Sequence, residues 1–482
     1  MKRFLLILAL WLSIVAGALA QTATPPSFGD GSQGNPYQIA TLDNLYWLSQ
    51  NPDIRNDSKP ARYYFVQTAD IDATSTKDWD SGKGFTPIRN NSQNTTFQYD
   101  GQGHTITKLY VNRPNQSNVG LFGDTHFCTI KGVTLISPTI IGGENVGSLA
   151  GNGWAGAIYG CKAVDGSVTG AKNTGGLVGM VQNNCPLDYC SATGTVKASG
   201  PNTGGLIGNI TFSDVRNCYS TASVAGTTEV GGLAGYLSVG SAGAIDKCYS
   251  AGAVTGTSNL GGLVTCPLYS YILKKITSSY YDKEVSKQSD TGKGIPMATA
   301  DMKKRSTYAG WNFLGETTSN GTHVWALLAN QNNGYPTIVR IIQLAISEPT
   351  ITTKEYDGSN VANITSTGDV SGIVNGDDVR VIADARYNNA DAGTGKTITV
   401  TYTLEGANKS FYLAPAPRTL TGEIKAKEIT VIPDPIQKTY GDDDPDISYK
   451  TEPDFSRSDI TGSLSRDKGE DVGSYRITIG NL

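Results

Sequence analysis

The short sequence Gly-Gly-Leu-x-Gly, or a close variant, recurs through the middle of the chain with its end at Gly123, Gly151, Gly179, Gly208 and Gly235. A degenerate sixth copy ends at Thr265. The intervals are 28, 28, 29, 27 and 30 residues, a true period rather than scattered glycine. Between copies runs a second pattern, Ile158-x-x-Cys161, Leu187-x-x-Cys190, Val215-x-x-Cys218 and Ile245-x-x-Cys248. Each is followed by a valine six or seven residues on, at Val168, Val196, Val224 and Val254. Such a unit, with three short apolar stretches between glycine turns and no helix-period run, is too small to bury its own hydrophobic face. Stacking must do it. The expected fold class is all-β: a right-handed-type β-solenoid of about 28-residue coils with N- and C-terminal caps, each coil ~4.8 Å from the last. Leu149, Leu177, Leu206, Leu233 and Leu263 would form one inward column, the valines a second and the cysteines a third.

Composition agrees. Glycine is 57 of 482 residues and charged residues are 17%, where ~25% is usual, so a turn-rich β protein is expected rather than a helical bundle. The formal charge of −4 becomes −6 once Lys2 and Arg3 are removed, and without a basic excess nucleic acid is excluded as a partner. Lys2-Arg3 precede an apolar run from Phe4 to Ala20 ending in Ala18-Leu19-Ala20, the form of a secretory signal peptide cleaved between Ala20 and Gln21. No later stretch reaches ~18 uncharged apolar residues, so no integral membrane segment is expected after signal removal. The mature chain reads as secreted, extracellular or displayed on a cell surface.

The repeats resemble the GLUG-motif proteins of bacterial cell surfaces. Upstream, Pro36-Tyr37-Gln38-Ile39, Asp70-Ile71-Asp72 and Tyr99-Asp100-Gly101-Gln102-Gly103-His104-Thr105-Ile106 look like the lead-in of such solenoids. Downstream, Tyr280-Tyr281-Asp282, Trp311-Asn312-Phe313 and Asn333-Gly334-Tyr335-Pro336 are similar to their exit segment. The resemblance covers roughly residues 30–340 and bears on architecture more than on activity. Both flanking segments make sense as caps over open sheet edges. Thr41 is placed to N-cap a helix with Leu42, Leu45 and Leu48 on one face, and Thr299 to cap another beginning around Ala300. The charge-rich stretch from Lys274 to Lys304 reads as an excursion from the last coil.

After Ile346 the texture changes to alternating β-branched runs such as Thr397-Ile398-Thr399-Val400-Thr401-Tyr402. Lys354-Glu355-Tyr356-Asp357-Gly358 resembles the YDG module of repetitive adhesins, and Lys438-Thr439-Tyr440-Gly441-Asp442 the related MBG module. The expected divisions are a signal peptide at 1–20, an N-terminal cap at 21–115, the repeat solenoid at 116–280 and an exit cap at 281–346. Small β-sandwich-like or other all-β modules follow at 347–427 and 428–482. The last is short for its type and reads as truncated.

Candidate chemistry is sparse. Three histidines, no H-E-x-x-H and no C-x-x-C pair argue against zinc, and no catalytic, cofactor or metal residue is assigned. His126 near Cys128 is one conceivable nucleophile pair, set against a buried cysteine beside a turn histidine. Gly441-Asp442-Asp443-Asp444 with Asp446 reads as a Ca²⁺ loop or a solvated turn. Coil alignment puts Tyr159, Asp188, Arg216 and Asp246 in one column, which spaces Asp188 and Asp246 ~9.6 Å apart, near the spacing of an inverting glycosidase. An ion-pair ladder through Arg216 explains the column as well. The residue after each ladder cysteine gives the column Lys162, Ser191, Tyr219 and Tyr249, continued by Tyr280. If the cysteines face in, Tyr219, Tyr249 and Tyr280 face out as an aromatic strip able to receive sugar CH faces, or they stack only on each other. Cys161, Cys190, Cys218 and Cys248 are expected as buried, unpaired thiols, because parallel Cβ vectors in register stand too far apart for a bridge.

These features point to an exported adhesin or stalk whose partners are glycans or glycoproteins and which carries no catalysis. The alternatives are a β-helical polysaccharide-active enzyme and an inert stalk for a further C-terminal effector.

Overall fold

In the computed structural model, the described residues are 21–51, 61–90, 95–238, 243–267, 275–290, 293–315, 323–374, 376–455 and 460–482. The signal-peptide segment expected at 1–20, Lys274 and Gly292 lie outside them. The chain divides into two compact units, Met1–Arg340 and Ile341–Leu482.

The first unit is a β-solenoid of about eight turns, with coils about 29 residues apart. One coil runs Ala150–Trp154, Ala157–Tyr159, Lys162–Gly170, Lys172–Gly175, and Val178–Gln182 then begins the next. Each piece joins a different parallel sheet. Among the described residues, sheet I has nine strands from Tyr37–Ile39 to Ile276–Thr277, and sheet II runs from Ile71–Asp72 to Ile295–Met297. Sheet III has six, from Ile88–Asn90 to Ala234–Ser238, and sheet IV has five, from Glu144–Val146 to Ser258–Gly261. Register is kept from coil to coil, so a column in the sequence is a column in space: Val168 pairs Val196, Val196 pairs Val224 and Val224 pairs Val254.

The leucine and cysteine columns line the main core; the valine column is buried too, but Val224 and Val254 pack with Val230 in a small cluster of their own. Leu149, Leu177, Leu206, Leu233 and Leu263 are fully buried, as are Cys161, Cys190, Cys218 and Cys248. All seven cysteines are free thiols. They bond along the stack rather than to one another covalently: the Cys190 amide donates to Cys218 Sγ (3.3 Å) and the Cys218 amide to Cys248 Sγ (3.4 Å). At the next coil the acceptor is Ser279 Oγ, 3.1 Å from the Cys248 amide. A small side chain with one soft or hard acceptor is thus what the column needs, and Cys meets that need while remaining apolar enough for the core.

The motif glycines are fixed by backbone crowding. A Cβ on Gly204 would stand 2.0 Å from the Ile207 oxygen, on Gly205 2.2 Å from the Gly232 oxygen, and on Gly208 2.3 Å from the Asn173 carbonyl carbon. The Leu between them sits in the core while its amide continues the stack, Leu206 N–H to Leu233 O at 2.8 Å.

The N-terminal end is closed by the helix Leu42–Gln50, capped as expected: Thr41 Oγ1 accepts from the Asn44 amide and Asn44 Oδ1 accepts from the Thr41 amide, both at 3.2 Å. Leu45 and Leu48 are fully buried in the same core as Phe65, Phe85 and Ile88. The second expected cap differs. The short helix Thr299–Met302 has Ala298 at its N-cap, and the Thr299 amide donates to the Glu284 carboxylate (3.0 Å), which does the capping from a neighbouring turn. The stretch expected as an excursion continues the stack instead, because Ile276–Thr277 and Tyr280–Asp282 extend sheets I and II and Ile295–Met297 adds one more parallel strand.

In the second unit, Lys354–Glu355, Arg418–Lys425, Gly393–Glu405 and Arg380–Tyr387 form a four-stranded sheet over a core that includes Tyr387, Ile398, Val400 and Ile424. The unit begins earlier than the change of texture suggested. Ile342–Gln343 pairs with Tyr412–Leu413 and Ala345–Ile346 with Val370–Ser371, so pairing partners place residues 341–346 here. The Lys-Glu-Tyr-Asp-Gly signature is a buried lysine and its counter-groups: Lys354 Nζ donates to Asp357 Oδ1 (2.6 Å) and to the Ser359 carbonyl (2.7 Å). That ammonium holds the Asp357 carboxyl down at about 2. Residues 430–478 contribute two short antiparallel pairs, Thr430–Pro433 with Tyr449–Glu452 and Ser465–Arg466 with Ile477–Thr478.

Candidate functional site

The tyrosine column is real, and it is covered. Tyr219 pairs Tyr249 and Tyr249 pairs Tyr280 in register on sheet II, with the Tyr219 and Tyr249 rings stacked 5.1 Å apart and 1° from parallel. Tyr219 is nevertheless 5% exposed, Tyr249 is fully buried and Tyr280 is half-buried. The exit segment folds back onto them. Its hairpin, His323–Ala326 antiparallel to Thr337–Arg340, sets Trp325 5.9 Å from both stacked rings, and Trp311 lies 4.5 Å from Trp325. Tyr219 Oη lies 3.2 Å from Thr337 Oγ1, and Tyr249 Oη donates to the Pro336 carbonyl. The strip expected as an open sugar platform is therefore the inner half of a second aromatic core. Burying these rings stabilises the fold by more than stacking them in water would, and burial pushes both phenol pKa values up.

The column before the cysteines is also in register, Tyr159 to Asp188, Asp188 to Arg216 and Arg216 to Asp246. Its charges are not laddered. Arg216 turns to Asp214, two residues upstream on the same side of its strand, at 2.6 Å. Asp246 accepts from Thr277 Oγ1 (2.6 Å) and Asp188 from Asn217 Nδ2 (2.8 Å). Burial pushes Asp188 up to about 6.

Beside this column the hairpin lays His323 over Gly160, where any Cβ would stand 2.8 Å from Nε2. The ring stacks on Tyr189 (5.5 Å, 26°), meets Tyr159 edge-on, and has Nδ1 3.3 Å from Tyr159 Oη. Burial pushes His323 down to about 4, helped by the positive charges of Lys162 and Arg340. Lys162 Nζ donates to the Ile338 carbonyl (2.7 Å), a further tie between coil and hairpin.

The two shifted groups act on stability with opposite sign. His323, depressed from 6.5, contributes stability present above about pH 6.5 and lost as pH falls towards 4. Asp188, raised from 3.8, contributes stability present at low pH and lost as pH rises towards 6. The stability of Asp188→Asn relative to wild type should therefore rise between pH 4 and 6, and that of His323→Gln should rise as pH falls from 6.5 to 4. Urea midpoints at three pH values check both; parallel curves for all three proteins would mean that neither group is shifted.

The other sequence candidates separate. Cys128 is buried and its Sγ lies 3.0 Å from the His126 carbonyl, whereas the His126 ring meets Trp154 at 5.4 Å, tilted by 31°, on the outward side of sheet III. Asp444 of the acidic turn pairs with Lys438 and Arg466, both at 2.8 Å, and both cations also meet Glu470. That charge-compensated quartet lines a cleft of about 550 Å³ with Tyr440 and Tyr475. Among the described residues no cluster of three or more His, Cys, Asp or Glu side chains could hold a metal, and no helix is long and apolar enough to cross a membrane.

One column escaped sequence reasoning. Asn118, Asn145, Asn173 and Asn202 form an amide ladder, in which the Nδ2 of each of the last three donates to the Oδ1 of the one before at 2.7 Å. All four have left-handed backbone, φ from 49° to 64°, which Asn tolerates better than other L-residues. The signal was present: an Asn stands five or six residues before each of four motif glycines.

Family models match three stretches of the chain. The family model described as the GLUG motif matches residues 199–225, that of the YDG domain residues 340–420, and that of the MBG domain (YGX type) residues 429–482. The chain carries these modules at those positions. Halomucin of Haloquadratum walsbyi is 29% identical over 437 residues, 78% of this chain. A provisionally named Gly-rich membrane protein of Evansella cellulosilytica is 36% identical over 124 residues, 25% of this chain. The matches span 4% and 11% of those two relatives. Among solved structures, a provisionally assigned immunoglobulin A1 protease from Bacteroides ovatus is similar with a TM-score of 0.46 at 20% identity, over 64% of this chain and 94% of that one.

Proposed function

We propose that this chain is an exported cell-surface protein acting as an adhesin or stalk, which holds host or matrix glycans or glycoproteins through its solenoid without turning them over. The observation that carries this reading is the succession, in one chain, of a GLUG-type solenoid and YDG and MBG modules. A 29% identical stretch of Halomucin supports it. The solenoid suits the task physically, because in-register stacking makes each outward column a straight row of side chains at ~4.8 Å steps, matched to extended polymers. A test uses beads coated with the chain from Gln21 on a mucin-coated surface. Adhesion abolished by periodate oxidation of the surface is expected; adhesion that survives periodate would overturn glycan recognition. A second reading, a polysaccharide-active enzyme, is favoured by one observation: Asp188, held up to about 6, stands near Tyr189 and Tyr159 as a general acid would. Release of reducing ends or unsaturated products from a polysaccharide, lost in Asp188→Asn, would establish it instead.

A further inference from the structure

Sheet II is covered by the exit hairpin and sheet I carries the charged column, but no described strand or helix packs over the outside of sheet III. Its strands alternate, so that Thr125, Gly153, Val181, Ile210 and Leu237 turn inward and the next residue of each turns outward. The outward column is His126, Trp154, Gln182, Thr211 and Ser238, paired in that order and all half-buried. Two aromatic rings are followed by an amide and two hydroxyls, with no charged side chain.

The column beside it, two residues upstream, is Asp124, Asn152, Met180, Asn209 and Tyr236. Gln182 Nε2 donates to Asn152 Oδ1 (2.9 Å) and Thr211 Oγ1 to Asn209 Oδ1 (3.4 Å), so the amides are held in fixed orientations. Asp124 is its one acid, and Arg89 (3.3 Å), Asn118 (2.7 Å) and Asn152 (3.3 Å) occupy its two oxygens.

The corner at the end of these strands bears a second mark. Phe127, Ala155, Asn183 and Phe212 occupy equivalent positions, each with left-handed backbone at φ 50° to 53°. Asn183 suits that geometry; a phenylalanine is strained there. Both phenylalanines nonetheless point into solvent, Phe127 40% and Phe212 39% exposed, where their burial offsets little of that strain. Two strained, exposed aromatic rings three coils apart flank the edge of a face whose own rings, His126 and Trp154, meet at 5.4 Å with a 31° tilt.

We infer that the outside of sheet III is the glycan-binding face, and that its ligand is a neutral polysaccharide lying along the solenoid axis. Aromatic rings receive the CH faces of pyranose units, and the half-buried amides of Gln182 and Asn209 with the hydroxyls of Thr211 and Ser238 exchange hydrogen bonds with sugar hydroxyls, while buried Asn152 holds Gln182 in place. Without an uncompensated charge the face offers nothing to sulfate or carboxylate groups. This rests on the glycan reading above and specifies its site and class.

The test immobilises laminarin, yeast mannan, xylan and heparin, and measures retention of the full chain by affinity electrophoresis. At least one neutral polymer should bind and heparin should not. Trp154→Ala and Phe127→Ala should each weaken that binding about tenfold or more, Trp154→Phe should keep most of it as the variant that also preserves the fold, and Asp246→Asn on sheet I should leave it unchanged. Thermal melting of each variant separates lost binding from lost fold. Neutral-polymer binding that survives both alanine variants would overturn the face while leaving the glycan reading standing. Binding of heparin alone would overturn the neutral class, and retention on none of the four would overturn the inference and count against the reading beneath it.

Discussion

Gly208→Ala should destabilise the solenoid by about 3 kcal/mol or more, an unusually large cost for adding one methyl group. The new Cβ would stand 2.3 Å from the Asn173 carbonyl carbon and 2.5 Å from both the Gly179 oxygen and the Thr174 nitrogen. All three are backbone atoms of the preceding coil, locked in the sheet ladders on either side, so no rotamer change relieves the clash. The coils must move apart, and the Asn173 rung, which accepts from Asn202 and donates to Asn145, moves with them. Gly34→Ala provides the contrast, because nothing lies within 4 Å of its Cβ position; its effect should stay within about 0.5 kcal/mol. Urea unfolding monitored by circular dichroism decides. A cost below about 1 kcal/mol for Gly208→Ala would mean that neighbouring coils yield at this corner, against the rigidity expected of close-packed interiors.

The repeat made most of the solenoid legible, since a period near 28 with fixed Leu, Val and Cys positions implies columns, and columns imply stacking in register. What the period could not supply was how three glycines serve one motif. Only the backbone geometry shows Gly204 against Ile207 of its own turn, Gly205 against the coil after and Gly208 against the coil before. The cysteine column was read correctly as unpaired. The tyrosine column was placed correctly and its surroundings were not, because alternation tells which side of a sheet a residue faces and says nothing of what covers that side. The cover comes from a segment well downstream, where Trp311, Phe313, Trp325 and Tyr335 follow no repeat. A sequence signal did exist. So many large aromatics in a short non-periodic segment need an apolar surface, and the tyrosine strip on the outer side of its sheet was the unclaimed one. His323 was legible as a histidine but not as a contact, since Gly160 makes room for it only once the hairpin has returned.

The aromatic layer is separable from the main core, and this sets the second large expected effect. Tyr219, Tyr249, Met302, Trp311, Phe313 and Trp325 form a cluster distinct from the one built on the leucine and cysteine columns. Trp325 is its fully buried centre, in ring contact with Tyr219, Tyr249 and Trp311. Trp325→Ala should therefore cost about 3–5 kcal/mol, the range for emptying a buried tryptophan site, but the loss should fall on the hairpin rather than on the coils. Amides of Val324, Trp325 and Val339 should lose hydrogen-exchange protection while those of Leu177, Leu206 and Leu233 keep theirs, because the latter bond only from coil to coil. Trp325→Phe should cost clearly less. It keeps a ring in the site and removes an indole N–H that finds no acceptor among the described residues, so part of the lost contact is offset by relief of an unsatisfied donor. Equal loss of protection in hairpin and coils would show that the two cores unfold as one, and the exit segment would then be an integral part of the solenoid rather than a cover laid over its tyrosines.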